Sequence, residues 1–172
     1  MNIAELLNDK VLKPKVKTET LSQWLLDKKV NTDELIAFAQ TAKDSPKATC
    51  IEALEFATKT NAAIANENCL KFVSETLSEK APRVKWESAK VIANIAHLFP
   101  TKLDKAIANL LTNSEHTGTV VRWAAAFALG EILKLKTQHN KDLLPAIENI
   151  CNREERNSIK KIYLDALKKT KK

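Results

Sequence analysis

Glycine is scarce in this 172-residue sequence, which contains only Gly118 and Gly130. Phosphate-cradling loops and dinucleotide-binding turns need several closely spaced glycines. Folds rich in β-strands need glycine for their many tight turns. The sequence therefore excludes nucleotide-binding loops of these types and argues against a β-rich fold.

Long apolar runs are also missing. No segment approaches the roughly 18 apolar residues needed to span a bilayer. Residues 1–17 contain no continuous apolar stretch followed by a small-residue cleavage site, so they do not form a secretory signal. We expect a cytoplasmic protein with no membrane partner.

Cysteine is limited to three residues, Cys50, Cys69 and Cys151, which are widely separated and form no CxxC pair. We interpret them as reduced, packed side chains. A zinc site would need ligands from distant segments, including histidines at positions 97, 116 and 139, and no spacing recurs among them. We predict no metal and no cofactor.

The apolar residues that are present follow a helical period. Val121, Ala125, Leu129 and Ile132 fall on one helix face, and a similar stripe runs from Val84. No segment alternates polar and apolar residues for long. The sequence therefore predicts an all-α fold.

Start signals divide the chain into short helices. They include Asn31 with Glu34, Ser45 before proline, Pro82, and Thr101 with an acidic residue at position 104. The predicted helices are 2–8, 18–29, 31–43, 46–60, 65–79, 82–98, 101–113, 119–136, 140–151 and 155–170. A basic connector is predicted over residues 13–17.

These helices belong to a repeat. Trp86 and Trp123 align at a spacing of 37 residues, as do Ala89 and Ala126, and another copy begins at Ile159. A period of 36–38 residues with two helices in each unit is typical of an α-solenoid. Single units cannot bury their apolar faces, so we expect neighbouring units to stack.

Residues 120–132, VVRWAAAFALGEI, closely resemble the second helix of a HEAT repeat of the VRxAAAxALGxI type. Residues 82–89 form a weaker copy, as do the helices that begin at Pro46 and near Glu155. The resemblance implies a right-handed α-solenoid of about four helix pairs over residues 31–172. Residues 1–30 would form an N-terminal helical cap, which Trp24 helps to seal.

HEAT repeats commonly pair an aspartate in the turn of a unit with a basic residue early in the second helix. The resemblance implies this basic role for Lys85, Arg122 and Lys160, whereas Thr49 replaces it in the first unit. Only Asp44 supplies an aspartate in a turn. The substitutes would be Glu79, Glu115 and Glu154. The ladder is therefore predicted to be degenerate.

Positive charge is unevenly distributed. The chain has a formal net charge of +7; the predicted second helices and the C-terminus carry +9 and the first helices −3. The HEAT resemblance implies that second helices line the concave side. We predict a non-catalytic scaffold whose basic concave face binds an acidic protein or peptide. The alternative is that the lysines only solvate this face, which would give the same charge pattern. The candidate binding residues are Lys85, Trp86, Lys90, Arg122, Trp123, Arg156, Lys160 and Lys161.

The two repeated tryptophans allow two interpretations. Trp86 and Trp123 either pack laterally against the neighbouring repeat or form an exposed aromatic pair for a ligand. The sequence leaves both open.

Two other functions are alternatives. The first is a nucleic-acid-binding array, which the small share of arginine, 4 of 28 basic residues, weakens. It includes a protein similar to the HEAT-like DNA alkylation-repair glycosylases, which need a carboxylate beside aromatic walls. Glu87 follows Trp86, but adjacent helical residues point in different directions. We therefore assign no catalytic residue. The second alternative is a subunit whose last helix exposes Tyr163, Leu164 and Leu167.

Overall fold

The computed structural model describes residues 1–171, and that part of the chain is helical with no β-strand. The helices are α1 (Ile3–Asn8), α2 (Pro14–Leu26), α3 (Thr32–Thr41), α4 (Asp44–Thr60), α5 (Glu67–Thr76), α6 (Pro82–Ile95), α7 (Asp104–Asn113), α8 (Thr119–Lys134), α9 (Asn140–Arg153) and α10 (Asn157–Thr170). Single 3-10 turns follow α4 and α6. The all-α prediction is confirmed.

Several predicted helix starts are confirmed by their caps. The Asn31 side chain accepts a hydrogen bond from the Glu34 backbone N–H at 2.8 Å, which satisfies a free donor at the start of α3. Pro82 is the first residue of α6, where its missing N–H has no helical partner to lose.

Other predicted starts are wrong. Pro14 begins α2, so most of the predicted connector is helical, and the Lys17 ammonium donates to the Leu7 carbonyl at 2.8 Å to hold α2 against α1. Ser45 is not a cap, because α4 already begins at Asp44. Residues 99–103 form a turn before α7, since the Lys102 N–H bonds the Phe99 carbonyl at 3.0 Å.

The helices stack as two layers. In one layer α2, α4, α6, α8 and α10 each contact the next, and we call this the second-helix layer. In the other, α3 contacts α5 and α5 contacts α7. Each pair α3–α4, α5–α6, α7–α8 and α9–α10 is also in contact, and α1 packs on α2. The predicted stacking of helix pairs is confirmed, while the division of the chain at residue 30 stays a prediction.

Small residues let neighbouring helices approach closely within the second-helix layer. Ala126 is fully buried in α8. A Cβ atom at Gly130 would lie 3.3 Å from the Ala166 Cβ and 3.8 Å from the Ile162 Cγ2, both in α10. The absence of a side chain at Gly130 therefore sets the spacing between α8 and α10.

Candidate functional site: the surface of the second-helix layer

A ladder of polar contacts joins each helix pair to the next along one edge of the second-helix layer. The Lys47 ammonium lies 3.0 Å from a carboxylate oxygen of Glu79, and the Arg122 Nε lies 3.1 Å from one of Glu154. Each cation is in a second helix, and each acid lies in the turn of the following pair, 32 residues later. These contacts fix how successive pairs sit on one another.

The ladder corrects the predicted register of the first unit. Lys47, not Thr49, occupies the basic position of the ladder, because it pairs with Glu79. The spacing from Lys47 to Lys85, which gives the length of the first repeat, is 38 residues. Asp44 takes no part in an ion pair within residues 1–171, and Glu115 pairs with Arg153 at 3.3 Å. The prediction that glutamates replace the aspartates of the ladder is therefore correct for Glu79 in the first rung and Glu154 in the last.

The middle rung has a different acceptor. Thr117 stands 32 residues after Lys85, where the other rungs have glutamate. The Lys85 ammonium bonds instead to the Leu77 carbonyl at 3.1 Å and to the Asn113 side-chain oxygen at 3.3 Å. Burial lowers the pKa of Lys85 because the charged form loses hydration.

Arg122 and Glu154 form the more buried of the two ion-paired rungs. The Arg122 side chain is 19% exposed and that of Glu154 only 5%. Burial alone would raise the pKa of Glu154, but hydrogen bonds from Arg122 and from the Arg156 backbone N–H outweigh it and lower that pKa. Arg122 also donates to the carbonyls of His116 and Thr117, each at 3.2 Å. Its guanidinium group is thus occupied by contacts within the chain.

Trp86 and Glu87 are brought together, contrary to the expectation that their side chains diverge. The indole Nε1 donates to the Glu87 Oε1 at 3.0 Å. The Lys90 ammonium lies 3.6 Å from Oε2, which accepts no hydrogen bond within residues 1–171. Burial raises the pKa of Glu87, against the opposing effect of Lys90.

Trp123, which is exposed, and Phe127, which is half-buried, form an aromatic pair on α8. Their ring centroids are 5.6 Å apart with an interplanar angle of 18°, and Trp123 is 39% exposed. Trp86, at the equivalent position of α6, is half-buried and packs against the core. The two tryptophans therefore do not form an exposed pair, because only Trp123 is exposed. Sequence reasoning missed Phe127, although its i+4 spacing from Trp123 was a usable signal.

The remaining candidate cations lie at the C-terminal end of the layer. Arg156 and Lys161 are exposed and Lys160 is half-buried. None of these three side chains takes part in an ion pair within residues 1–171. Within the described chain, the candidate cations that neither form an ion pair nor join successive repeats therefore lie on or next to α10, whereas Lys85 and Arg122 do join successive repeats.

The last helix exposes less than the subunit alternative requires. Leu164 is 49% exposed, but Tyr163 and Leu167 are buried. Within residues 1–171, no group of three or more histidine, cysteine or acidic residues is placed to hold a metal ion, and no helix has the length and apolar character needed to cross a membrane.

Comparison with protein-family models gives no match, and neither does comparison with curated proteins. Solved structures do match. A computationally designed armadillo repeat protein for modular peptide recognition is 16% identical, with a TM-score of 0.76 over 97% of this chain and 80% of that chain. The complex of CpcE and CpcF of phycocyanin lyase from Nostoc sp. PCC7120 includes a chain that is 15% identical, with a TM-score of 0.66 over 95% of this chain and 94% of that chain.

These similarities bear on the fold. An engineered protein that is 20% identical aligns with a TM-score of 0.62 over 98% of this chain and 79% of that chain. The neighbours and the stacked helix pairs together establish an armadillo- or HEAT-type α-solenoid. The repeat resemblance and the fold-class prediction are confirmed.

Proposed function

We propose that this protein is a non-catalytic interaction module whose second-helix layer binds a segment of another protein that carries apolar and acidic side chains. The observation that carries this proposal is the stack of the exposed Trp123 on Phe127, next to a helix whose Lys160 and Lys161 join no ion pair within residues 1–171. Solenoids commonly use such extended surfaces for binding.

The aromatic stack supplies the apolar anchor. Tryptophan offers a large contact area at a small loss of conformational entropy, and it is enriched at the energetic centres of interfaces. Val120, one turn before Trp123, is 52% exposed and extends the apolar surface along α8. A partner side chain that covers these groups would remove apolar area from water.

The cations of α10 supply the charge preference. Lys161 follows Trp123 by 38 residues and so occupies the equivalent position on the next helix. Arg156, just before α10, is also exposed. A segment that crosses from α8 to α10 would meet aromatic rings first and positive charge second. Salt weakens this long-range attraction, because the Debye length is about 8 Å at physiological ionic strength.

Further observations support the proposal. The armadillo protein with the similar fold was designed for modular peptide recognition, and the phycocyanin lyase structure is a complex of two chains. The Glu87 carboxylate, which a glycosylase-like role would need beside Trp86, is covered by that indole and by Lys90. The free, buried cysteines support a reducing, cytoplasmic setting.

The test is selection from a random peptide library displayed on phage, followed by affinity measurement on the full chain. We expect the enriched peptides to combine apolar residues with a net negative charge. Trp123→Ala and Lys161→Glu should each weaken binding about tenfold, as expected for the loss of an interface anchor. Val11→Ser, which removes an exposed apolar side chain from the turn before α2, is the matched control and should leave the affinity unchanged.

Random duplex DNA distinguishes the nucleic-acid alternative. Micromolar binding with a steep dependence of log affinity on log salt, reduced by Lys161→Glu, would favour DNA and overturn the acidic-partner proposal. Failure to enrich any peptide, or peptides that bind the Trp123→Ala variant equally well, would also overturn it.

A further inference from the structure

One stripe of α8 faces the next helix pair. Arg122 reaches Glu154 in the turn before α10, Ala126 is fully buried, and Gly130 lies close to Ala166 of α10. The three stripe residues follow one another at intervals of four, so they share one helix face. This face combines one ladder cation with two small residues that admit a neighbouring helix.

The equivalent stripe of α10 is exposed at two of its three residues. Lys160, Leu164 and Lys168 follow the α8 stripe by 38 residues each. Leu164 is 49% exposed and Lys168 is exposed, while Lys160 is half-buried and joins no ion pair within residues 1–171. In the preceding repeats, the following helix pair covers this face. That pair also supplies the hydrogen-bond acceptor, which is Glu79, Asn113 or Glu154.

We infer that the stripe Lys160–Leu164–Lys168 is a docking surface for an acidic helical segment of a second protein. A carboxylate of that partner takes the place opposite Lys160 that Glu154 takes opposite Arg122. Apolar side chains on the same face of the partner helix cover Leu164. The inference goes beyond the proposed function, because Lys161 points about 100° around the helix from Lys160 and belongs to the other surface.

Charge complementarity selects an acidic partner over a second copy of this chain. The turn before α2, at the opposite end of the stack, carries Lys10 and Lys13, and Lys15, which pairs with Glu19, follows in the first turn of α2. The one acid of that turn, Asp9, already accepts from the backbone N–H groups of Val11 and Leu12. Head-to-tail stacking of two copies would therefore bring like charges together, which opposes association.

The test titrates the full chain with a synthetic amphipathic helical peptide made of leucine and glutamate. Backbone amide chemical shifts locate the bound peptide, and fluorescence anisotropy measures its affinity. We expect the largest shifts at Lys160, Leu164 and Lys168. Lys160→Glu and Leu164→Ser should each weaken binding about tenfold, the effect of losing one interfacial contact. Lys161→Glu is the matched control, because it changes the net charge equally on another face, and it should weaken binding much less.

Four results would overturn the inference: no binding, equal weakening by Lys160→Glu and Lys161→Glu, shifts centred on Trp123, or sedimentation that shows the chain associating with itself through α10. Shifts centred on Trp123 would leave the proposed function intact. Failure to enrich peptides in the phage experiment would overturn the proposed function but not the inference about α10. The two proposals therefore fail separately.

Discussion

Arg122 in α8 donates through Nε and Nη2 to the two carboxylate oxygens of Glu154, at 3.1 and 3.3 Å, and so joins one helix pair to the next. Both side chains are largely withdrawn from water. A buried ion pair contributes most visibly when one partner is removed, since the other is then left charged and unpaired.

We therefore expect Glu154→Gln to lower the free energy of unfolding by about 3 kcal/mol at neutral pH. The folded pKa of Glu154 is lowered, so its stabilisation is present above the ordinary value of 4.5 and is lost as the pH falls through the folded pKa. The difference between wild type and variant should shrink over that acidic window. Urea unfolding over a pH series measures it.

The exposed pair of Lys102 and Glu67 provides the control for this prediction. Glu67→Gln should change the free energy of unfolding by less than about 1 kcal/mol, because water screens exposed pairs. Equal losses for Glu67→Gln and Glu154→Gln would contradict the structural role of the ladder.

Replacing Glu87 should change stability with pH in the opposite direction to replacing Glu154. Burial raises its folded pKa, so ionisation opposes folding: the penalty is absent below the ordinary value of 4.5 and grows as the pH rises through the folded pKa. Glu87→Gln should therefore raise the melting temperature near neutral pH and leave it unchanged at about pH 4.

Thermal unfolding followed by circular dichroism tests the Glu87 prediction. Glu19→Gln, at an exposed position of α2 paired with Lys15, serves as the comparison and should show no such pH dependence. A lower melting temperature for Glu87→Gln near neutral pH would mean that the ionised carboxylate, held by Trp86 and Lys90, stabilises the fold.

Gly130 tests the spacing of α8 and α10. A leucine side chain at this position would collide with Ala166, so Gly130→Leu should lower the free energy of unfolding by about 1–3 kcal/mol. Ala37→Leu, at an exposed position of α3, should change it by no more than about 0.5 kcal/mol. Guanidinium unfolding measures both variants, and a stable Gly130→Leu protein would show that the two helices can separate freely.

The cysteines should be inert in the folded protein. Burial raises the pKa of Cys50 and of Cys69 to about 12, and the thiolate is the reactive form. A thiol reagent should label both slowly in buffer and rapidly in denaturant. Ser45→Cys, at an exposed site, should react at once in buffer; rapid labelling of Cys69 in the native chain would refute its burial.

Helix content and the stacking of pairs could be predicted from the sequence because both depend on local patterns. The apolar period of residues 121–132 marks one buried helix face, and the spacing of Trp86 and Trp123 reports the repeat. Helix ends could be predicted less well. Helix α2 begins at Pro14, earlier than predicted, and the contact between Lys17 and Leu7 that accompanies this start joins two different helices.

The candidate site depended more strongly on tertiary structure. Sequence alone counted Lys85, Lys90 and Arg122 as groove cations, since formal charge carries no information on the partners of a side chain. Folding brings Asn113 to Lys85 and Glu154 to Arg122, while Lys90 pairs with Glu87 three residues earlier on the same helix. The sequence by itself determined that paired helices would repeat and bury one another. Only the tertiary structure decided which cations join the repeats and which remain available on α10, because ion pairing depends on distances between residues that lie far apart in the chain.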